Sequence, residues 1–182
     1  MMPTPTGDLE QAFQLYFMEM TECAISGRFF ALLHVIVALP DVCAALEEPS
    51  SPVLERYEGW LEKYHAHALL SPVEFYDLRC KLLHQGQAVG RGRGRYKTYS
   101  FPIHPDISLH RAVVETGNII LDPRQMAVDM RRAIETWFTD LRRSENAARL
   151  QVVRANLPLL VRVQFKLTPG FDGPPFGVLS ST

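Results

Sequence analysis

The stretch from Arg28 to Leu46 constrains this chain more than any other. Apart from His34 and Asp41 it is apolar on every side, from Phe29 through Val42 to Leu46. A helix of that kind must be enclosed by other elements. The chain therefore needs several amphipathic partners packed around one central helix. The densest part, Phe29 to Leu39, is interrupted by His34 and followed by Pro40. Proline removes a backbone donor and predicts a kink there. The apolar run falls short of the roughly 20 residues of a membrane span, which predicts a core helix and no membrane association.

The partner helices are legible from their periodicity. Over Asp8 to Ile25, residues Leu9, Ala12, Phe13, Tyr16 and Met20 recur at three-and-four spacing. Val53 to Ala68 carries Leu54, Tyr57, Leu61 and Tyr64 on one stripe. Ser71-Pro72-Val73-Glu74 is a helix start: a serine N-cap, proline in the first turn, and glutamate closing a capping box. That fourth helix runs to about His84, with Val73, Tyr76, Cys80 and Leu83 as its expected apolar stripe and Gly86 as its stop. Asp122-Pro123-Arg124-Gln125 repeats the start grammar. Met126, Met130, Ala133, Ile134, Trp137 and Leu141 then define a long closing helix, with a possible continuation to Ala155. Trp60 and Trp137 fall on helical stripes and are core candidates.

Between the fourth and closing helices, residues 87–121 read differently. Gly90-Arg91-Gly92-Arg93-Gly94-Arg95 is a glycine-rich basic loop, and Lys97 to Ile103 and Leu109 to Val114 have the composition of short strands. Thr116-Gly117-Asn118 is a turn, with Ile119 to Leu121 pairing back. Val161, Val163, Phe165 and Leu167 alternate with polar residues as a strand does. The expected fold is mainly α: an up-and-down bundle of about five helices with a small β-hairpin insertion and a short C-terminal strand. The bundle spans 8–156, with its insertion at 87–121. Residues 157–182 form the strand and a mobile tail.

A length of 182 residues suits one domain. A net charge of −1 offers no global attraction for nucleic acid or membrane, so any basic surface must be local. Cys23, Cys43 and Cys80 are odd in number and far apart, which suggests reduced, buried thiols in a cytoplasmic protein. Met1 to Asp8 lacks the pattern of a signal peptide. No zinc-ligand spacing, phosphate loop, nucleophile elbow or paired-carboxylate motif occurs, so neither metal nor cofactor is expected.

Chemistry concentrates in Leu78-Arg79-Cys80-Lys81-Leu82-Leu83-His84-Gln85-Gly86. Histidine moves protons near neutral pH, and arginine is a permanent planar cation matched to phosphate. Residues five apart on a helix project about 140° from each other. Arg79 and His84 therefore converge only if the arginine reaches across, if the helix end is distorted, or if two copies of the helix meet. The plain alternative is a pair of basic residues favouring the negative end of a helix.

This motif, with its flanking Leu78, Leu82, Leu83 and Gly86 and the order of helices, resembles the HEPN superfamily over roughly Asp8 to Arg143. Those all-α bundles carry an arginine, four to six residues, then a histidine near the end of a core helix. The resemblance implies a metal-independent endoribonuclease in which a ribose 2′-hydroxyl attacks the adjacent phosphate, leaving a cyclic phosphate and a 5′-hydroxyl. His84 would act as general base or acid, and Arg79 would neutralise charge on the phosphate oxygens. It also implies a homodimer with a composite site, RNA as substrate, and a toxin–antitoxin or phage-defence setting with an antitoxin or regulatory partner. Cys80 departs from the polar residue, often asparagine, that many active members carry after the arginine. That favours the alternative of a non-catalytic module binding a nucleotide or partner. A structural dimerisation bundle is the third reading.

Other residues have candidate roles. Asp41, beside the proline, must be paired or reach water, and could orient His84 or Arg79 from a neighbouring helix. Arg91, Arg93 and Arg95, followed by Tyr96, could track phosphates and stack a base; the other reading is a solvated loop tip. His34 is expected to be a bonded core histidine. His65 and His67 point in different directions, and His104 and His110 show no partner pattern. The Arg131-Arg132 and Arg142-Arg143 pairs suit either a solvated face or an edge that follows RNA.

Overall fold

Helix α2, Phe29–Glu47, is the hub of the molecule, because its apolar circumference can be covered only from several sides. It packs against α1 (Gly7–Ile25), α3 (Val53–Tyr64), α4 (Pro72–Gln85), α5 (Pro123–Leu141) and α6 (Ala147–Asn156). The computed structural model describes residues 7–65, 70–101, 110, 112–115 and 117–160. The fold is a helical bundle with a small β insertion, as the periodicities predict. The expected strand at 161–167, and with it the tail, lies outside the described residues, as do His67 and His104.

Pro40 does not end α2. The helix continues through it to Glu47, so it is long and apolar enough to cross a membrane, contrary to the length inferred from the run before Pro40. Half of it is nevertheless buried within the bundle. The Tyr57 hydroxyl donates to the Val37 carbonyl at 2.8 Å, supplying a donor in the turn that Pro40 disturbs.

The core follows from the helical stripes. Phe13, Trp137 and Tyr57 are fully buried, and Trp60 nearly so. Phe13 meets Trp137 and Phe138 edge-on at 5.6 and 5.5 Å between ring centroids. Such geometry suits aromatic quadrupoles. Trp137 also donates to Glu47. On α3, Tyr57, Leu61 and Tyr64 are buried as expected, whereas Leu54 is 38% exposed.

Both helix starts form. Ser71 accepts from the Glu74 backbone at 3.3 Å and the Glu74 carboxylate accepts from the Ser71 N–H at 2.9 Å, a complete capping box. Gly86 stops α4 in the left-handed conformation (φ 62°), which costs glycine little. Asp122 caps α5, but Gln125 bonds Asp129 and does not close a box. The closing helix does not continue to Ala155. Asn146 turns back to the Asp140 carbonyl at 2.8 Å, ending the run, and α6 starts separately. There Arg149 joins Glu47 of α2 to Asp140 of α5 and the Tyr64 hydroxyl of α3.

Among its described residues the insertion holds three strands. β1 is Thr98–Ser100, β2 is Ala112–Glu115 and β3 is Asn118–Ile120, in the order β1-β3-β2. β2 and β3 form the antiparallel hairpin, with an irregularity between Val113 and Glu115, while β1 lies parallel to β3. Tyr99, Ile119 and Leu121 seat the sheet on the bundle.

Candidate functional site

The buried face of α4 lies nearly opposite the expected one, about half a turn around the helix. Val73, Tyr76, Cys80 and Leu83 are only half-buried. Phe75, Leu78 and Leu82 are buried, together with Glu74 and Asp77, each 1% exposed. Two buried carboxylates require partners, and the glycine-rich loop supplies them.

Arg95 clamps Glu74 with Nε at 3.0 Å and Nη2 at 2.9 Å, and its backbone N–H donates at 2.7 Å. Arg93 donates both Nε and Nη2 to Asp77, which also accepts from the Arg91 N–H at 3.2 Å. Gly94 lies so close to Glu74 that an added Cβ would sit 2.2 Å from its Cγ. The loop is thus a strap drawn onto α4. Burial pushes the Glu74 pKa up, but the Arg95 guanidinium and the Ser71 and Arg95 N–H groups outweigh it and hold that carboxyl at about 2. Of the four residues suggested for RNA contact, Arg93 and Arg95 are engaged within the chain, and Tyr96 lies 5.0 Å beneath the Arg95 guanidinium. Arg91 is exposed and contributes its backbone N–H.

Rotation of α4 places Arg79 on the half-buried edge. There its Nη2 donates to Asp41 Oδ2 at 3.0 Å. Asp41 Oδ1 accepts from Arg56 Nη2 at 2.9 Å and Nε at 3.2 Å. One carboxylate on α2 therefore holds arginines from α3 and α4. Arg56 also reaches the Ser51 carbonyl at 3.2 Å. Arg79 is less fully bonded. Among the described residues its Nη1 has only the Cys80 sulfur at 4.0 Å, a weak acceptor, and its buried Nε has no partner. Burial disfavours the Arg79 charge, but Cys80 and Asp41 outweigh it and raise its pKa.

His84 stands apart. It is exposed on the last turn of α4, and among the described residues it makes no hydrogen bond or ion pair. No hydrogen bond joins it to Arg79. Asp41 thus meets Arg79 and not His84. Arg56, Tyr57 and Tyr76 complete the cluster; the sequence reading gave the two tyrosines only places on apolar stripes and passed over Arg56. A signal for the strap exists in the spacing: acids three apart at 74 and 77 match arginines two apart at 93 and 95.

The remaining candidates are structural or peripheral. His34 is half-buried, with Nδ1 2.7 Å from the Phe30 carbonyl. His110, which shows no partner pattern in the sequence, accepts the Asp122 N–H at 3.0 Å and lies 3.8 Å from Asp129. Arg131, Arg132, Arg142 and Arg143 are exposed. Cys23 and Cys43 are buried free thiols, while Cys80 is half-exposed. Among the described residues no three His, Cys, Asp or Glu side chains cluster as metal ligands. A cleft of about 180 Å³ opens between α2 and α3, lined by Glu47, Arg56, Trp60 and Lys63 among others. An apolar groove of about 350 Å³ lies between α1 and α5. Arg79 and His84 line neither.

Comparison with known proteins finds no matching family model, no matching curated protein and no matching solved structure.

Proposed function

We propose that this protein is a metal-independent endoribonuclease acting as a homodimer in the cytoplasm. The observation that carries the reading is the incomplete bonding of Arg79. One amino group is fixed by Asp41, and the other has, among the described residues, only a sulfur to give up. A phosphate oxygen is a far better acceptor for it. On the same helix, five residues on, His84 offers an exposed ring able to carry a proton. The two groups supply the chemistry of 2′-hydroxyl attack: His84 exchanges the proton, and Arg79 offsets charge on the phosphate oxygens. Their separation of about 140° around the helix favours a site shared between two copies, each giving Arg79 to one cleft and His84 to the other. A toxin or phage-defence role, with an antitoxin or regulatory partner, suits such an activity.

The test is cleavage of single-stranded RNA in the presence of EDTA. Wild type should cleave, leaving 2′,3′-cyclic phosphate ends, and Arg79→Ala and His84→Ala should each lose about 10²–10⁴-fold. Cleavage that persists in both variants rejects the assignment.

A second reading has an observation of its own. Asp41, Arg56 and Arg79 tie α2, α3 and α4 together, which is reason enough for an arginine at 79 in a non-catalytic binding module or dimerisation bundle. On that reading Arg79→Ala lowers stability and wild type has no ribonuclease activity to lose.

A further inference from the structure

Two guanidinium groups lie against the Tyr76 ring. The Cζ of Arg79 is 5.8 Å from its ring centroid, and the Cζ of Arg93 is 5.6 Å from the same centroid. Both distances fall within the range of cation–π attraction. The ring is buttressed by Tyr57, edge-on at 5.2 Å, whose hydroxyl is fixed to the Val37 carbonyl. Arg93 is fixed as well, by the buried Asp77 and by Glu58 at 3.5 Å. A continuous set of contacts therefore runs from the strap through Arg93 and Tyr76 to Arg79 and ends on Asp41.

We infer that Tyr76 is a positioning residue and that the Gly90–Tyr96 strap acts through it on Arg79. Asp41 holds the guanidinium at one amino group only, which leaves it free to pivot about that bond. The Tyr76 ring restricts the pivot, because tilting away from the ring forfeits the cation–π contact. Nη1 is thereby kept facing one direction, ready to exchange the Cys80 sulfur for a phosphate oxygen. Arg93, fixed in the strap, draws on the ring as well and sets its place. On this view Arg93 does not contact RNA; it acts on the site at one remove. The consequence for catalysis rests on the ribonuclease reading, while the coupling of strap to Arg79 does not.

Three variants test the inference: Tyr76→Leu removes the ring, Tyr76→Phe keeps it, and Arg93→Gln removes the outer cation from a side chain already 38% exposed. Steady-state cleavage of single-stranded RNA gives kcat and KM, and nitrogen-15 NMR of the Arg79 Nε–H reports guanidinium order without RNA. Tyr76→Leu and Arg93→Gln should lower kcat roughly tenfold with KM little changed, as expected when a charge-stabilising group is misplaced. Tyr76→Phe should recover most of the loss. The Arg79 resonance should shift or broaden in Tyr76→Leu and Arg93→Gln alone. In an active enzyme, unchanged kcat in those two variants overturns the inference. So does a raised KM at constant kcat in Arg93→Gln, which would put Arg93 on the RNA itself. If wild type cleaves no RNA, the ribonuclease reading fails and the resonance decides: a response to Arg93→Gln upholds the coupling, and none overturns it. Should Tyr76→Leu not fold, Arg93→Gln decides alone.

Discussion

Asp41 and Arg79 stand 38 positions apart in the chain and meet at 3.0 Å, carboxylate to guanidinium, between helices α2 and α4. The same carboxylate holds Arg56, so two cations depend on one anion. Asp41→Asn keeps the shape and removes the charge. Arg56 retains the Ser51 carbonyl, whereas Arg79 keeps little. The expected cost is about 1–2 kcal/mol, the range for a partly exposed charged hydrogen bond, read by urea denaturation. RNA cleavage should fall by at least tenfold with a smaller change in KM, as expected when a positioning contact is lost.

A shared site makes a prediction about mixtures. Arg79→Ala and His84→Ala homodimers should both be inactive. A twofold interface gives each mixed dimer one site with both residues intact and one with neither. If subunits exchange at random, half the dimers are mixed and half of their sites work, so about a quarter of wild-type activity returns. Refolding the two variants together and assaying cleavage checks this. Activity no greater than that of the separate variants places Arg79 and His84 of one chain in the same site or in none.

Glu74 makes stability depend on acidity. Its carboxyl is held at about 2 against an ordinary value of 4.5. The folded pKa is the lower one, so the stabilisation is fully present above about pH 4.5 and is lost as the pH falls toward 2. Thermal melting followed by circular dichroism should show Tm falling across that interval. In Glu74→Gln the Tm should start lower at neutral pH and fall less steeply. An unchanged slope would mean that Arg95 does not stabilise the charged form.

Gly94 is the tightest point of the strap. An alanine Cβ would lie 2.2 Å from the Glu74 Cγ, inside any acceptable contact. Gly94→Ala must lift the strap or shift Glu74, at about 1–3 kcal/mol. Limited proteolysis should then cut within 87–97 faster than in wild type, and urea denaturation should register the loss. Gly94→Ala with wild-type stability and cleavage pattern would mean the strap sits away from α4 in solution.

Much of the bundle was readable because helical periodicity is local. Leu9, Phe13 and Met20 on α1, and Met126 through Leu141 on α5, are buried where three-and-four spacing puts them. Ser71 and Glu74 cap α4 because their bonds join residues three apart. Periodicity went wrong on α4 itself. Counting Glu74 and Asp77 as polar turned the predicted face toward Val73 and Cys80. The acids are buried because Arg95 and Arg93, arriving 21 and 16 residues later, complete their hydrogen bonds. A single helix carries no trace of that compensation. The strands and hairpin of the insertion were readable from local composition, but the parallel pairing of β1 with β3 was not, because it joins residues distant in the chain.

By itself, then, the sequence determined that this chain must surround Phe29–Glu47 with amphipathic helices, where α4 and α5 begin, and that Arg79 and His84 share one helix. Those are consequences of hydrophobic burial and of bonds within a few residues. Only the tertiary structure decided which face of α4 turns inward, that Asp41 meets Arg79 and leaves His84 alone, and that the arginine loop neutralises buried acids. Each of those depends on charges far apart in the chain finding partners out of water, where an unpaired charge is too costly to keep.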